Sequence, residues 1–197
     1  SGGFKRIIHY RNYIKSDLSD KQCSNIQSRK RFHYKNLIES GKIKVREGVL
    51  RLIKEISSFD IDQFIVTTSG RDSLEPFLQT SLSSHFKFFS RVVTYEDVNR
   101  HKPFPDAYQL AHKLSKKSEV NCIAIEDSII GVEAAKAANI NCLLTLPPWA
   151  NSDVNISRSA NSCVNCLGNV DNPSKLIYGK NLINNFVDVE YLTHIIN

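Results

Sequence analysis

Cys122-Ile123-Ala124-Ile125-Glu126-Asp127-Ser128-Ile129-Ile130-Gly131-Val132-Glu133-Ala134-Ala135 decides the fold. Cys122–Ile125 has the length and apolarity of a buried strand, and Ile129–Ala138 reads as a helix of small residues. A strand that passes into a helix across so short a turn is one step of a β-α alternation with a parallel sheet. Two adjacent carboxylates at the carboxyl end of a strand repel each other, and they stand where open α/β sheets place ligands. A hard cation such as Mg²⁺, which prefers oxygen ligands, relieves that repulsion. The same acids also suit a plain helix start, favoured by the macrodipole with Ser128 near the N-cap.

Two upstream stretches bear on that choice. Phe64-Ile65-Val66-Thr67-Thr68-Ser69-Gly70-Arg71 is an apolar run that ends in hydroxyls and glycine before a helical pattern. Such a turn presents hydroxyls and free N–H groups to a phosphate; ordinary capping by Ser69 or Asp72 is the plainer alternative. His101-Lys102-Pro103-Phe104-Pro105-Asp106-Ala107 sets one lysine in a loop stiffened by two prolines, with Pro105 suited to the first turn of the next helix. A lysine held this way can direct its charge at a phosphate or a carboxylate; a solvated loop lysine is the plainer alternative.

In order and spacing the three stretches resemble motifs II, III and IV of the haloacid dehalogenase superfamily of phosphatases. Thr68 matches the motif II hydroxyl, Lys102 the motif III lysine, and Glu126 with Asp127 the metal-binding acids of motif IV. Gly2 to Ile7, Lys30, and Gly41-Lys42-Ile43 leading to Arg46-Glu47-Gly48-Val49 resemble the cap region of CbbY-like sugar-phosphate phosphatases. The tail, with Leu144 to Trp149, is most similar to cyanobacterial and plastid members. The resemblance implies a Rossmann-like doubly wound parallel sheet, with a partial helical cap over residues 1–45 and a core over 46–197. It further implies an Mg²⁺-dependent phosphatase of a small sugar phosphate, xylulose-1,5-bisphosphate above all, that passes the phosphoryl group to an aspartate and then to water. Ser69, Arg71, Lys5, Arg6 and Lys30 become candidate substrate contacts. A monomer in a bacterial cytoplasm or a plastid stroma is the expected setting.

The Asp-x-Asp-x-Thr motif that supplies the nucleophile in this superfamily has no match. Asp60-Ile61-Asp62 precedes a strand instead of following one, and Asp188-Val189-Glu190 carries the wrong second acid. The resemblance therefore implies a chain that begins several dozen residues into the enzyme, without the central first strand between the strands ending at Thr67 and Ile125. Two strand edges would then lack partners, and these residues alone should be poorly stable and prone to aggregate. A β-phosphoglucomutase-like mutase shares the core motifs, and an inactive module that binds a phosphorylated ligand is the third reading.

The chain has 197 residues, enough for one α/β domain with a small insertion. No apolar stretch approaches the roughly 20 residues of a membrane span. The net charge is +8 over residues 1–60 and −2 over the remainder. A basic cap facing an acidic metal site suits a substrate with a phosphate at each end. Phe32 and Tyr34 recur with Leu37 and Ile38 at helical spacing, so the basic run Arg29-Lys30-Arg31 reads as a helix surface and no nucleic-acid or membrane partner is expected. Five cysteines, an odd number with two in apolar strands, suggest reduced thiols.

The expected elements are helices over 4–15 and 18–40, then a helix over 47–57. Strand 64–67 leads to helix 71–83, and strand 91–95 to helix 106–116. Strand 122–125, helix 129–138 and strand 142–146 follow. Residues 150–180 read as loop with one short strand near Cys163, and 180–195 as a closing helix.

Overall fold

The computed structural model describes residues 2–115, 121–149 and 159–197. Helices α1 (Gly2–Tyr13) and α2 (Asp20–Glu39) pack on each other, and α2 also rests on α4 (Arg71–Gln79). α2 starts where its sequence dictates. Ser19 Oγ accepts the Gln22 N–H at 3.3 Å, and Gln22 Oε1 accepts the Ser19 N–H at 2.8 Å, a reciprocal capping box. Arg11 closes the turn between the two helices by donating to Leu18 O at 3.1 Å and to Asp20 Oδ1 at 2.5 Å. Among the described residues no helix is long and apolar enough to cross a membrane.

The remaining elements are α3 (Val49–Ile56), β1 (Phe64–Val66), β2 (Arg91–Val93), α5 (Asp106–Ser115), β3 (Ile123–Glu126), α6 (Ile129–Ala137), β4 (Asn141–Thr145), β5 (Ser162–Val164), β6 (Leu176–Tyr178) and α7 (Val189–Ile196). β3, β4 and β5 are parallel and in sequence order, with Ile123 opposite Asn141 and Leu143 opposite Ser162; β6 closes the edge antiparallel. The period-two alternation of β4 divides the core. Cys142 and Leu144 join Val132, Ala134 and Ala135 of α6, whose small side chains let the helix lie close to the sheet. Leu143 points the other way, into Leu52 of α3 and Tyr191, Leu192 and Ile195 of α7. Helices on both faces of a mainly parallel sheet make this an α/β, Rossmann-like core carrying a small helical cap.

β1 and β2 form a separate parallel pair, with Phe64 opposite Arg91. Among the described residues β1 and β3 exchange no ladder hydrogen bonds. A cavity of about 860 Å³ is lined by Phe64 and Val66 of β1, Ile123 and Ile125 of β3, and Leu52 and Ile56 of α3. Ile125, inside β3, is 38% exposed because that face opens on the cavity.

Element ends depart from expectation for local reasons. α3 begins at Val49 because Gly48 takes φ +79° and packs on Gly168, whose carbonyl oxygen would lie 2.5 Å from any Cβ there. α4 ends at Gln79: Thr80 Oγ1 donates back to Pro76 O at 2.7 Å, the competition expected of a hydroxyl at a helix end. α7 begins only after Asp188, whose Oδ1 accepts the Tyr191 N–H at 2.7 Å, so residues 180–187 stay outside the expected helix. β6 was not expected: its three residues pair at the sheet edge with a register shift at Cys163 and Val164. The far end of the expected 106–116 helix and part of the Asn/Ser-rich loop lie outside the described residues.

Candidate active site

Glu126 and Asp127 are neighbours with opposite fates. Glu126 ends β3 with its side chain turned inward and 8% exposed, whereas Asp127 is exposed. The Glu126 carboxylate is boxed in. Its Oε1 accepts from Lys102 Nζ and from the Tyr108 hydroxyl, and a Cβ at Gly131 would meet Oε2 at 1.9 Å. Thr145 Oγ1 donates to Glu126 O at 3.3 Å, which ties the end of β4 to the same residue. Arg46 in turn donates to Thr145 Oγ1 at 3.0 Å, Leu146 O at 2.6 Å and Asn165 O at 3.3 Å, and so anchors the segment before α3 to the sheet.

Lys102 lies in the loop that enters α5, after which the Lys102–Pro103 peptide is cis. Its ammonium donates to Val66 O at 3.0 Å and reaches the Tyr108 hydroxyl at 3.4 Å, 4.7 Å from the centroid of the same ring. Val66 ends β1 and Glu126 ends β3, so one buried ammonium spans the carboxyl ends of two strands that share no ladder. Two charges removed from water gain from each other only when further hydrogen bonds complete the pair, and here Val66 and Tyr108 complete it. Burial first, then Glu126, pushes the Tyr108 phenol well above the ordinary tyrosine value, so it stays a donor. Burial likewise pushes the nearby Cys142 thiol up to about 12.

The hydroxyl turn after β1 lies at the surface. Thr68 and Ser69 are exposed, and the Ser69 N–H donates to Thr67 Oγ1 at 3.0 Å. The N-cap of α4 is Gly70, not Ser69 or Asp72, and it makes no side-chain cap. Glu96 does that work from a distance: its two oxygens accept the Arg71 N–H at 3.2 and 3.3 Å, a carboxylate at the place a helix N-terminus offers an anion. Burial opposes the Glu96 charge, but hydrogen bonds from Thr94 and Arg71 outweigh it and hold the carboxyl below its ordinary range. The Arg71 guanidinium pairs with Asp97. Nothing in the sequence marks Glu96, and Tyr108 reads as one more apolar position of α5; both are legible only in three dimensions.

The three basic candidates of the cap separate. Lys5 of α1 lies near enough to His101 that, after burial, it is the next influence holding that imidazole below its ordinary value; the His101 ring stacks on Tyr95 at 3.7 Å. Arg6 and Lys30 instead line a groove of about 490 Å³ between α1 and α2, with Ile7, Tyr10 and Ile26.

A family model described as haloacid dehalogenase-like hydrolase matches residues 6–145, the span that holds the hydroxyl turn, Lys102, Glu126 and Asp127. The chain belongs to this family. Within it the chain is CbbY-like. Protein CbbY of Rhodobacter capsulatus is 27% identical over 154 residues, 78% of this chain and 68% of that protein. A mutant CbbY from Rhodobacter sphaeroides, crystallised in complex with xylulose-1,5-bisphosphate, matches with a TM-score of 0.69 at 25% identity over 78% of this chain and 68% of that one. β-Phosphoglucomutase from Clostridium difficile matches 99% of this chain and 77% of that one with a TM-score of 0.70, at 17% identity, a likeness of fold alone. The chain spans about two thirds of the length of its CbbY relatives.

Members of this hydrolase family are typically Mg²⁺-dependent. Among the described residues no three His, Cys, Asp or Glu side chains come together as a cage. Mg²⁺ asks less than a cage: one or two carboxylates, with water and substrate phosphate for the rest. Asp127 suits this, because its exposed carboxylate lines the cavity and makes no hydrogen bond or ion pair among the described residues. Glu126 offers less, with one oxygen held by Lys102 and Tyr108.

Proposed function

We propose that these residues form most of the active site of an Mg²⁺-dependent phosphatase of small sugar phosphates, with xylulose-1,5-bisphosphate as the first substrate to test. One observation carries the reading: the Lys102 ammonium spans Val66 O and Glu126 at the carboxyl ends of β1 and β3, next to the exposed Asp127 carboxylate. Phosphoryl transfer is catalysed almost entirely by positioned charge, and a lysine immobilised among three acceptors is suited to it.

Asp127 would hold Mg²⁺ directly, and Glu126 would support it while keeping Lys102 in place. The metal, when bound, offsets the negative charge of the phosphate. Lys102 places its charge against the phosphoryl oxygens and against a carboxylate nucleophile. Thr68 and the backbone around Ser69 donate to the same oxygens. Lys5, beside His101, faces a substrate held over the Lys102 loop; Arg71, paired with Asp97, and Arg6 and Lys30, in the groove between α1 and α2, stay the other basic candidates. The nucleophile belongs on a strand between β1 and β3, where the cavity is lined by both and Lys102 crosses the far end. Asp60 and Asp62 are poorly placed for that role, since they precede β1 and so stand at the amino end of the strand whose carboxyl end meets Lys102. The division into a cap over 1–45 and a core over 46–197, a monomeric state, and a bacterial cytoplasm or plastid stroma belong to the same proposal.

The test is Mg²⁺-dependent phosphate release from xylulose-1,5-bisphosphate by the complete polypeptide, with and without Asp127→Asn. Release that falls by at least about 100-fold in the variant supports the reading. Conversion to an isomeric sugar phosphate without free phosphate makes the protein a mutase, and no turnover in either form leaves a ligand-binding module.

A further inference from the structure

We propose that Tyr108 is a positioning residue of this site, holding Lys102 where its charge can act. The inference rests on the phosphatase reading for its catalytic meaning and on geometry alone for its structural one. A lysine is a flexible stem with three donors, and only fixed acceptors define where its ammonium stands. Lys102 has three polar partners, Val66 O, Glu126 Oε1 and the Tyr108 hydroxyl, and the Tyr108 ring lies beneath the ammonium at 4.7 Å. Tyr108 therefore makes two of the contacts directly.

It also sets a third. Its hydroxyl donates to the same Glu126 oxygen that receives Lys102, and the carboxylate cannot retreat because its other oxygen backs onto Gly131. Tyr108 is only 7% exposed, so its O–H depends on Glu126 for an acceptor. Lys102 and Glu126 are equally enclosed, their side chains 7% and 8% exposed. Three polar groups in one buried cluster thus define one another's positions. Without the hydroxyl, Glu126 answers to Lys102 alone, and the ammonium is free to follow the carboxylate away from Val66.

Tyr108→Phe keeps the ring and removes the hydroxyl. The first readout is amine modification of the folded chain, followed site by site by mass spectrometry. Lys102 should label about tenfold faster in Tyr108→Phe, the scale on which support around a functional group counts, while other lysines keep their rates. Tyr191→Phe is the control, since Tyr191 is also buried and bonded, to Ser162 and Lys180, in another part of the core. Unchanged labelling of Lys102, or equal acceleration in Tyr191→Phe, overturns the proposal. The second readout is turnover by the complete polypeptide, in which Tyr108→Phe should lower kcat about tenfold or more with KM for the sugar phosphate little changed. A rise in KM at constant kcat also overturns it. Absence of turnover in the wild type counts against the phosphatase reading and leaves the labelling result to decide the role of Tyr108.

Discussion

Gly131→Ala should destabilise this protein, against the usual trend for glycine inside a helix. In α6 the added methyl would ordinarily gain about 1 kcal/mol of helix propensity. Here the new Cβ would stand 1.9 Å from Glu126 Oε2, 2.2 Å from its Cδ and 2.6 Å from Oε1. Ordinary contact requires the carboxylate to withdraw by roughly 1.5 Å. A free side chain would withdraw at little cost, but Glu126 is buried and its Oε1 is held by Lys102 and Tyr108. Separating a buried ion pair costs about 3–5 kcal/mol. The pair wins over the propensity, and the net loss should be about 2–4 kcal/mol. The assay is urea unfolding followed by circular dichroism, without divalent metal, in a double-mutant cycle with Glu126→Ala. Once the carboxylate is gone, Gly131→Ala should be neutral or stabilising. Equal costs in both backgrounds, or a gain in the wild type, would refute the reasoning.

Arg46→Lys should cost about 2–4 kcal/mol, because a point charge cannot serve the acceptors on Thr145, Leu146 and Asn165 together; thermal unfolding checks it, and a change as small as that of exposed Lys30→Ala would count against the anchor. The cysteines should react unequally: at about pH 8 the partly exposed Cys166 should be alkylated in the folded protein, whereas Cys142, 2% exposed with its thiol pushed up to about 12, should react only after unfolding. Equal rates by mass spectrometry would show that the core around Cys142 opens readily.

The β-α alternation was legible because it rests on local pattern. Four apolar residues before Glu126, a small-residue helix after it, and the capping residue Ser128 act within a few residues of themselves, and the structure keeps them. Lys102, Glu126 and Asp127 could be named for the same reason: prolines, glycine and paired acids are costly choices that leave marks in sequence. The short edge strand β6 left none, because three residues among asparagines and serines carry no period to read.

The division of labour at the site was decided in the tertiary structure. Sequence presents Glu126 and Asp127 as equal metal acids; the pleat of β3 turns the first inward to Lys102 and leaves the second exposed. Glu96 closes the helix end for which Ser69 or Asp72 was the plain capping alternative, and Tyr108 joins the charged pair. Lys5 parts from Arg6 and Lys30. These outcomes depend on groups that distant elements bring together, and a hydrogen bond or ion pair carries no trace in either partner's local sequence. Periodicity and turn chemistry act along the chain and can be read there, whereas charge pairing acts across it and exists only once the chain has folded.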